Sequence, residues 1–214
     1  MPVSIRYTAY AFPSPIGVLL IAATKSGICL VKYLDGTSGE ASPVKSLLRW
    51  TKTHKIDAAV MEDKEDSVLS DAVRAIEAYV GGEGNAKMDC LVVDLSVVGT
   101  TFQRSVWNAL QKIPAGTTVT YAELASLGGS PGASRAVGNA NRSKPIPIIV
   151  PCHRCVASDG LGGYSGATDA ESIEIKRKVF LLDVEGVKRT SLSNIGREKR
   201  KRVDASILKY VKAC

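Results

Sequence analysis

The residues best equipped for chemistry are a cysteine followed directly by a histidine and an arginine: Cys152, His153 and Arg154. They follow the apolar run 146–150 and a proline, which we interpret as an extended segment that delivers the cysteine. A thiol with its ordinary pKa of ~8.5 is mostly protonated at neutral pH, whereas the thiolate is the nucleophile. A neighbouring imidazole that accepts the proton, together with a guanidinium, favours the thiolate. The pattern indicates that Cys152 is a nucleophile.

A catalytic histidine needs a carboxylate that holds its ring in position. The candidate is Glu185, which closes the last predicted helix, over residues 169–186. The only other histidine, His54, lies in a polar stretch. We therefore expect Glu185 to orient His153.

Three other interpretations of Cys152 and Cys155 stay open at this point. The pair could be a redox dithiol, although the βαβ context of thioredoxin-like motifs is missing. It could be half of a zinc site, although no second Cys/His pair follows at ligand spacing. Both cysteines could also be buried small apolar side chains, which is the usual fate of a free cysteine.

The segment before the cysteine predicts a helix-turn-helix. Capping-box signatures at Thr100 and Thr120 predict the starts of two helices, the second over 121–127. Ser130, followed by a proline, predicts a third helix over 132–141. Two short helices joined by a glycine-containing turn form a helix-turn-helix pattern. The third helix has almost only small side chains, which suit close approach to another surface or tight packing within its own domain.

The first half of the chain predicts a small α+β domain. Residues 17–24 and 27–34 resemble a β-hairpin, 66–80 have helical spacing, and 90–98 alternate like one more strand. Glycine-rich sequence then marks a boundary. The expected organisation is an N-terminal α+β domain over 1–98, a helical domain over 99–190 and a basic tail over 191–214.

The positive charge is concentrated in the second half. Residues 1–100 hold ten Lys and Arg against twelve Asp and Glu, whereas residues 101–214 hold 18 against nine. This asymmetry suggests an anionic partner, with nucleic acid as the first candidate, although a solvated basic surface explains it equally well. The basic run 197–202 is compatible with nuclear import or with a solvated tail.

Composition excludes disordered, collagen-like and disulfide-scaffold proteins. With 214 residues, 45% hydrophobic and 23% charged, the chain is an ordinary globular protein. No apolar run approaches the ~20 residues of a membrane span, and no apolar signal segment begins the chain. We expect no membrane partner, reduced cysteines and an intracellular location, cytoplasmic or nuclear.

Four stretches of the second half occur in the order typical of one known family. They are FQRSVWNALQKIPAGTTVTYAELA, ASRAVGNANRSKPIPIIVPCHR, GGYSG and KRKVFLLDVEG. Together they resemble the O6-alkylguanine-DNA alkyltransferases, also called methylated-DNA–protein-cysteine methyltransferases, over residues 102–186. The PCHR motif after an apolar run and a small-residue helix is highly specific. The resemblance implies a ribonuclease-H-like N-terminal α+β domain and a helical, winged-helix-like C-terminal domain with a helix-turn-helix.

The resemblance implies repair of DNA by transfer of an alkyl group to the protein itself. Cys152 would attack the alkyl carbon on O6 of guanine, and less efficiently on O4 of thymine. His153 would relay the thiol proton through a water, and Glu185 would orient His153. Tyr121 would donate a proton to the departing guanine. The thioether product is stable, so each molecule would act once, as a monomer, with no cofactor and no metal.

The resemblance also implies how double-stranded DNA containing O6-alkylguanine is held. The third predicted helix would enter the minor groove, and Arg135 would fill the gap left by a flipped nucleotide. Tyr164 and Ser165 would close over the base, and the carbonyls of Cys152 and Cys155 would accept from its amine. The assigned DNA contacts are Ala133, Arg135, Ala136, Gly138 and Arg142.

Two positions depart from the family pattern. Lys144 replaces the asparagine that braces the turn before the active cysteine, so the turn is held differently or Ser143 substitutes. Cys155 replaces a valine or isoleucine. Two rival hypotheses remain: a helix-turn-helix lesion sensor or regulator that binds without repairing, and a thiol-redox protein using Cys152 and Cys155.

Overall fold

The computed structural model describes residues 1–35 and 42–187. Contacts divide the chain into two compact units. The first is Met1–Gly99 with Pro145–Pro147, and the second is Thr100–Lys144 with the chain from Ile148 onward. The tail expected over 191–214 lies outside the described residues. No helix within the described ranges is long and apolar enough to cross a bilayer.

The first unit is a four-stranded sheet covered by a helix. Its strands are β1 (Val3–Phe12), β2 (Gly17–Thr24), β3 (Gly27–Tyr33) and β4 (Ala58–Glu62), and its helices are α1 (Pro43–Thr53), α2 (Ser67–Val80) and α3 (Ala86–Asp89). The order is β3-β2-β1-β4, with β4 parallel to β1 and the other pairs antiparallel. The predicted hairpin and the predicted helix α2, which packs on the sheet, are confirmed. Strands β1 and β4 and helix α1 were not anticipated.

The strand expected over 90–98 is wrong. Only Val93 forms a bridge, with Ile28, and the Ile28 N–H donates to the Val92 carbonyl at 2.9 Å. The chain comes so close there that a Cβ on Gly27 would lie 2.5 Å from the Val92 oxygen. The pairing ends at Asp94, whose carboxylate accepts from the Thr24 hydroxyl at 2.5 Å. Contacts at single residues therefore join residues 90–98 to the sheet, and no continuous ladder of strand hydrogen bonds forms there.

The second unit is built from short helices around a two-stranded parallel pair. Its elements are α4 (Thr101–Gln111), β5 (Val119–Thr120), α5 (Tyr121–Leu127), α6 (Ser134–Arg142), a single 3-10 turn (Cys152–Arg154), β6 (Cys155–Val156) and α7 (Ile173–Val184). Both predicted capping boxes are confirmed. Thr100 accepts from the Gln103 N–H at 3.2 Å, and Thr120 from the Glu123 N–H at 3.2 Å.

Three expectations for the second half of the chain differ from the structure. Helix α6 begins at Ser134 rather than at 132, because Gly132 has a φ of 86° that a right-handed helix excludes. Helix α7 begins after Ser172, whose hydroxyl accepts from the Ile175 N–H at 3.3 Å. The run 146–150, expected to be extended, consists of bends and turns, with Ile148 at a φ of 70°.

Candidate active site

A tight turn positions Cys152. Pro151 has φ −81° and ψ 64°, and the Cys152 N–H donates to the Val150 carbonyl at 2.8 Å, which together define an inverse γ-turn. Beyond the 3-10 turn, Cys155 pairs with Val119 in the parallel ladder of β6 and β5. Helix α5 begins at the residue that follows β5. The ladder therefore brings the start of α5 close to Cys155 and to the 3-10 turn that carries Cys152.

His153 and Glu185 form the hydrogen-bonded pair that the sequence predicts. His153 Nε2 lies 2.9 Å from Glu185 Oε1, and both side chains are buried. A carboxylate only accepts hydrogen bonds, so Nε2 carries the proton and donates it. This tautomer leaves Nδ1 as the atom of the neutral ring that can take up a further proton.

Arg154 braces the pair rather than the thiol. Its guanidinium donates to Glu185 Oε1 at 2.7 Å through Nη2 and at 3.0 Å through Nε. It also donates to the Ile113 carbonyl. The Gly116 N–H donates to Glu185 Oε2 at 3.0 Å. The sequence-based expectation that this guanidinium acts on Cys152 is replaced by a structural role in holding Glu185.

The electrostatics of the pair suit proton acceptance. Burial alone would raise the pKa of Glu185, but hydrogen bonds from His153 and Arg154 and their positive charge outweigh it and lower that pKa to about 2. Burial lowers the pKa of His153, against the opposing influence of Glu185. At neutral pH the pair is therefore an uncharged imidazole held by a carboxylate.

Cys152 lines a small cavity of about 120 Å³. Ligand pockets for drug-sized molecules span roughly 300–1,000 Å³, so this cavity fits something smaller, such as a single base. Six of the predicted site residues line it: Tyr121, Gly138, Arg142, Cys152, Tyr164 and Ser165. Its other lining residues are Asn141, Gly163, Gly166, Ala167 and Thr168.

The remaining predicted site residues lie away from the cavity wall. His153 and Glu185 are buried in the pair described above, and Cys155 is fully buried, where burial raises its pKa to about 12. Arg135 and Ala136 are exposed on α6, and Ala133 precedes that helix half-buried. The predicted site residues therefore fall into three groups: those that line the base-sized cavity, those that are buried behind it, and those on the exposed surface of α6.

Tyr121 lies between two glycines at the cavity. A Cβ on Gly138 would lie 3.9 Å from one side of the Tyr121 ring, and a Cβ on Gly162 would lie 3.5 Å from the other. Gly162 also has a φ of 68°. Burial raises the pKa of Tyr121, and the negative charge that Cys155 and Cys152 carry when ionised raises it further. The phenol is therefore protonated at neutral pH and able to donate.

A tight turn forms one wall of the cavity. The Tyr164 N–H donates to the Ala167 carbonyl at 3.0 Å, and the Ala167 N–H donates back at 2.9 Å. Between them Ser165 and Gly166 both have positive φ, 51° and 95°, as a type I′ turn requires. Lys144 lies 5.0 Å above the Tyr164 ring, and its Nζ donates to the Asn141 carbonyl at 3.2 Å. The lysine that departs from the family pattern therefore contacts both the turn and α6.

Lys178 is a site residue that the sequence did not indicate. It is fully buried, and its Nζ donates to the carbonyls of Cys155, Leu161 and Gly163 at 2.7, 2.6 and 3.0 Å. Burial lowers its pKa to about 8. The Cys155 carbonyl, expected to accept from guanine, already accepts from this lysine and keeps a second lone pair. The sequence signal that could have indicated its burial was the position of this lysine on the apolar face of α7.

Comparison with known proteins assigns the chain to a family. A model of the DNA binding domain of 6-O-methylguanine DNA methyltransferase matches residues 101–187, and one of its ribonuclease-like domain matches residues 5–94. The methylated-DNA–protein-cysteine methyltransferase of Methanosarcina acetivorans is 39% identical over 176 residues, 82% of this chain and 96% of the relative. That of Mycobacterium leprae is 38% identical over 173 residues, 80% and 88% of the two chains.

Comparison with solved structures leads to the same family. The O6-methylguanine methyltransferase of Mycobacterium tuberculosis matches with a TM-score of 0.62 and 34% identity, over 85% of this chain and 92% of that one. A structure of M. tuberculosis OGT in complex with DNA matches with a TM-score of 0.60 and 36% identity, over 86% and 92%. Within the described residues, no group of three or more His, Cys, Asp or Glu side chains could hold a metal. The resemblance and the fold class expected from sequence are confirmed: the chain belongs to the 6-O-methylguanine DNA methyltransferase family.

Proposed function

We propose that this protein repairs DNA by transferring the alkyl group of O6-alkylguanine to Cys152. The observation that carries the proposal is a cysteine that lines a base-sized cavity and directly precedes a buried His–Glu pair. The matched relatives are named methylated-DNA–protein-cysteine methyltransferases, and one matched structure is a complex with DNA. Chemistry on a base edge inside a duplex requires the nucleotide to be flipped out, which the small cavity suits.

The proposed reaction is one displacement at carbon. The Cys152 sulfur forms the S–C bond while the bond from the alkyl carbon to guanine O6 breaks. His153 accepts the thiol proton, and Glu185 stabilises the resulting imidazolium. Tyr121 donates a proton to the leaving base and is reprotonated at the expense of the imidazolium. The net result is a thioether and an unmodified guanine, with one turnover per molecule.

We further propose that a monomer binds duplex DNA through the minor groove, with α6 as the inserted element. Arg135 is exposed on that helix and suits the role of filling the gap of a flipped nucleotide. The DNA-binding part would span residues 99–190. We propose an intracellular location, because DNA is the substrate.

The test is intact-protein mass spectrometry after incubation with a duplex carrying one O6-methylguanine. We expect a gain of one methyl group on Cys152, saturating at one per chain, and none in Cys152→Ala. Cys90→Ala, which removes an exposed cysteine, is the matched control and should react like the wild type.

Two results would contradict the proposal. Tight binding of the lesion without any gain in mass would favour a lesion sensor. Activity that requires Cys155, lost in Cys155→Ser and lost on reduction, would favour a thiol-redox protein.

A further inference from the structure

The end of α6 is tied to α4 by side-chain hydrogen bonds. The Ala140 carbonyl belongs to the last turn of α6, where carbonyls lack partners within the helix. It accepts from the indole N–H of Trp107 at 2.8 Å and from the hydroxyl of Ser143 at 3.2 Å. Gln103 on α4 in turn donates from Nε2 to Ser143 Oγ at 2.9 Å. Two residues of α4 therefore hold the end of α6, Trp107 directly and Gln103 through Ser143.

The hydrogen bonds from Gln103 to Ala140 run in one direction. Gln103 Oε1 accepts from the Thr100 N–H at 2.8 Å in the capping box, so the nitrogen of the amide faces Ser143. A serine hydroxyl has a single proton, which Ser143 donates to the Ala140 carbonyl while its lone pair accepts from Gln103. Linked hydrogen bonds of this kind strengthen one another. This chain of Gln103, Ser143 and Ala140 is the α4–α6 clamp.

The clamped helix contributes to two parts of the proposed site. Gly138, Asn141 and Arg142 line the cavity, and Arg135 is exposed near the opposite end of the helix. The cavity wall has a second support, because Lys144 Nζ donates to the Asn141 carbonyl at 3.2 Å. The helix is nine residues long, which corresponds to about 13 Å. A small rotation of α6 about its clamped end therefore moves Arg135 further than it moves the cavity wall.

We propose that Ser143 is a positioning residue: through the α4–α6 clamp, its hydroxyl holds α6 in the orientation that alkyl transfer from duplex DNA requires. This inference rests on the proposed function. In a duplex, Arg135 has to fill the gap of the flipped nucleotide while the base occupies the cavity, so both ends of α6 must be correctly placed at once. A free O6-methylguanine base needs only the cavity. Loss of the clamp should therefore slow transfer from a duplex and leave transfer from the free base almost unchanged.

The experiment uses two variants that break the clamp at different points. Ser143→Ala removes the hydroxyl, and Gln103→Glu removes only the donor, because a glutamate also completes a capping box. Single-turnover rates are measured with a saturating duplex that carries one O6-methylguanine and with the free base. We expect each variant to be about three- to tenfold slower on the duplex, as for one lost hydrogen bond, and to change less than about twofold on the free base. The half-saturating duplex concentration should stay constant, because phosphate contacts dominate affinity.

Three further variants serve as controls. Ser143→Thr keeps the hydroxyl and should restore most of the duplex rate. Ser105→Ala is the matched control, because Ser105 also donates to a carbonyl three residues earlier, that of Phe102 at 2.8 Å; both of its rates should equal those of the wild type. The double variant Ser143→Ala/Gln103→Glu should be no slower than Ser143→Ala, because both changes break the same chain. Circular dichroism at the assay temperature checks that every variant is folded.

Equal losses on the duplex and on the free base would overturn the inference, because they would make the clamp a general support of the cavity. So would wild-type duplex rates in both Ser143→Ala and Gln103→Glu, or a duplex rate that Ser143→Thr does not restore. The wild-type chain tests the proposed function separately. If it transfers no methyl group from the duplex, the proposed function fails, and the inference fails with it.

Discussion

Glu185 accepts hydrogen bonds from His153, Arg154 and Gly116. A single carboxylate therefore joins the 3-10 turn that carries the nucleophile, the loop after α4 and the end of α7. Removing its charge leaves the buried guanidinium of Arg154 without a counter-charge. Replacing one member of a buried ion pair costs about 3–5 kcal/mol.

The Glu185→Gln variant tests this role through pH. The folded-state pKa of Glu185 is about 2, compared with its ordinary 4.5. Because the pKa is lowered on folding, the stabilisation from this carboxylate is complete above pH 4.5 and is lost as pH falls towards 2. We expect the variant to be less stable by about 3 kcal/mol at pH 7, and the difference to shrink between pH 4.5 and 2. Urea unfolding across that range measures it; a difference independent of pH would contradict the assignment.

Lys178 supports the site through three backbone carbonyls on the segment 155–163. Lys178→Met keeps most of the volume but leaves these carbonyls without their donor, which should destabilise the protein by about 2–4 kcal/mol. The loss of stability should first affect the segment whose carbonyls Lys178 binds. Hydrogen exchange should therefore quicken over residues 155–168 more than in α4 and α5. The exposed Lys176→Met, two residues earlier on α7, is the control and should leave exchange unchanged.

At the residue scale, the sequence predicted those site residues that are neighbours in the chain or whose side-chain type is typical of a catalytic group. Cys152 and His153 are neighbours, and Glu185 is a carboxylate at a helix end. Lys178 and Asn141 were missed for a physical reason. Lysine and asparagine are ordinarily exposed, and only the tertiary packing of α7 and α6 makes these two buried.

At the scale of elements, the turn of Tyr164–Ala167 and the segment after α6 are linked by Lys144. Its ammonium lies 5.0 Å from the Tyr164 ring centre and donates to the Asn141 carbonyl. A cation–π contact that is shielded from water contributes up to about 2 kcal/mol. This lysine therefore replaces the bracing asparagine of the family by a contact with the cavity wall.

We expect Lys144→Met to weaken that link while keeping the length of the side chain. The single-turnover rate should fall roughly three- to tenfold, since a loss of about 1 kcal/mol corresponds to about fivefold. Hydrogen exchange at Tyr164 and Ala167 should quicken. Lys144→Arg, which keeps the charge, should preserve most of the rate. Equal rates in the wild type and the methionine variant would show that the link is unimportant for transfer.

Element starts were predictable where the signal is local. Both capping boxes involve only residues three apart, and both formed as expected. The errors arose where distant contacts decide the backbone. Residues 90–98 have strand-like alternation, but their strand pairing is limited to one bridge, from Val93 to Ile28. The turns of 146–150 depend on Ile148 adopting a positive φ.

At the scale of the whole molecule, the net charge of +7 has a particular location. Residues 188–214 hold nine Lys and Arg against two Asp and Glu, which leaves 19 of each sign in residues 1–187. The basic excess of the second half therefore comes mainly from residues 188–214 rather than from the segment that contains the cavity and α6. Phosphate attraction and its salt dependence follow the number of cations that contact the backbone. The electrostatic part of DNA binding should depend mainly on residues 188–214.

Truncation after Val187 tests this separation of affinity from chemistry. The shortened chain should bind undamaged duplex more weakly, and its logarithmic slope of affinity against salt should flatten by about 0.9 for each phosphate that is no longer neutralised. Its reaction with a free O6-alkylguanine base should be unchanged, because that substrate has no phosphates. Fluorescence anisotropy between low and high salt gives the slope, and mass spectrometry gives the transfer. If truncation slows reaction with the free base, residues 188–214 support the active site itself; if the slope does not change, the cations that meet DNA lie within residues 1–187.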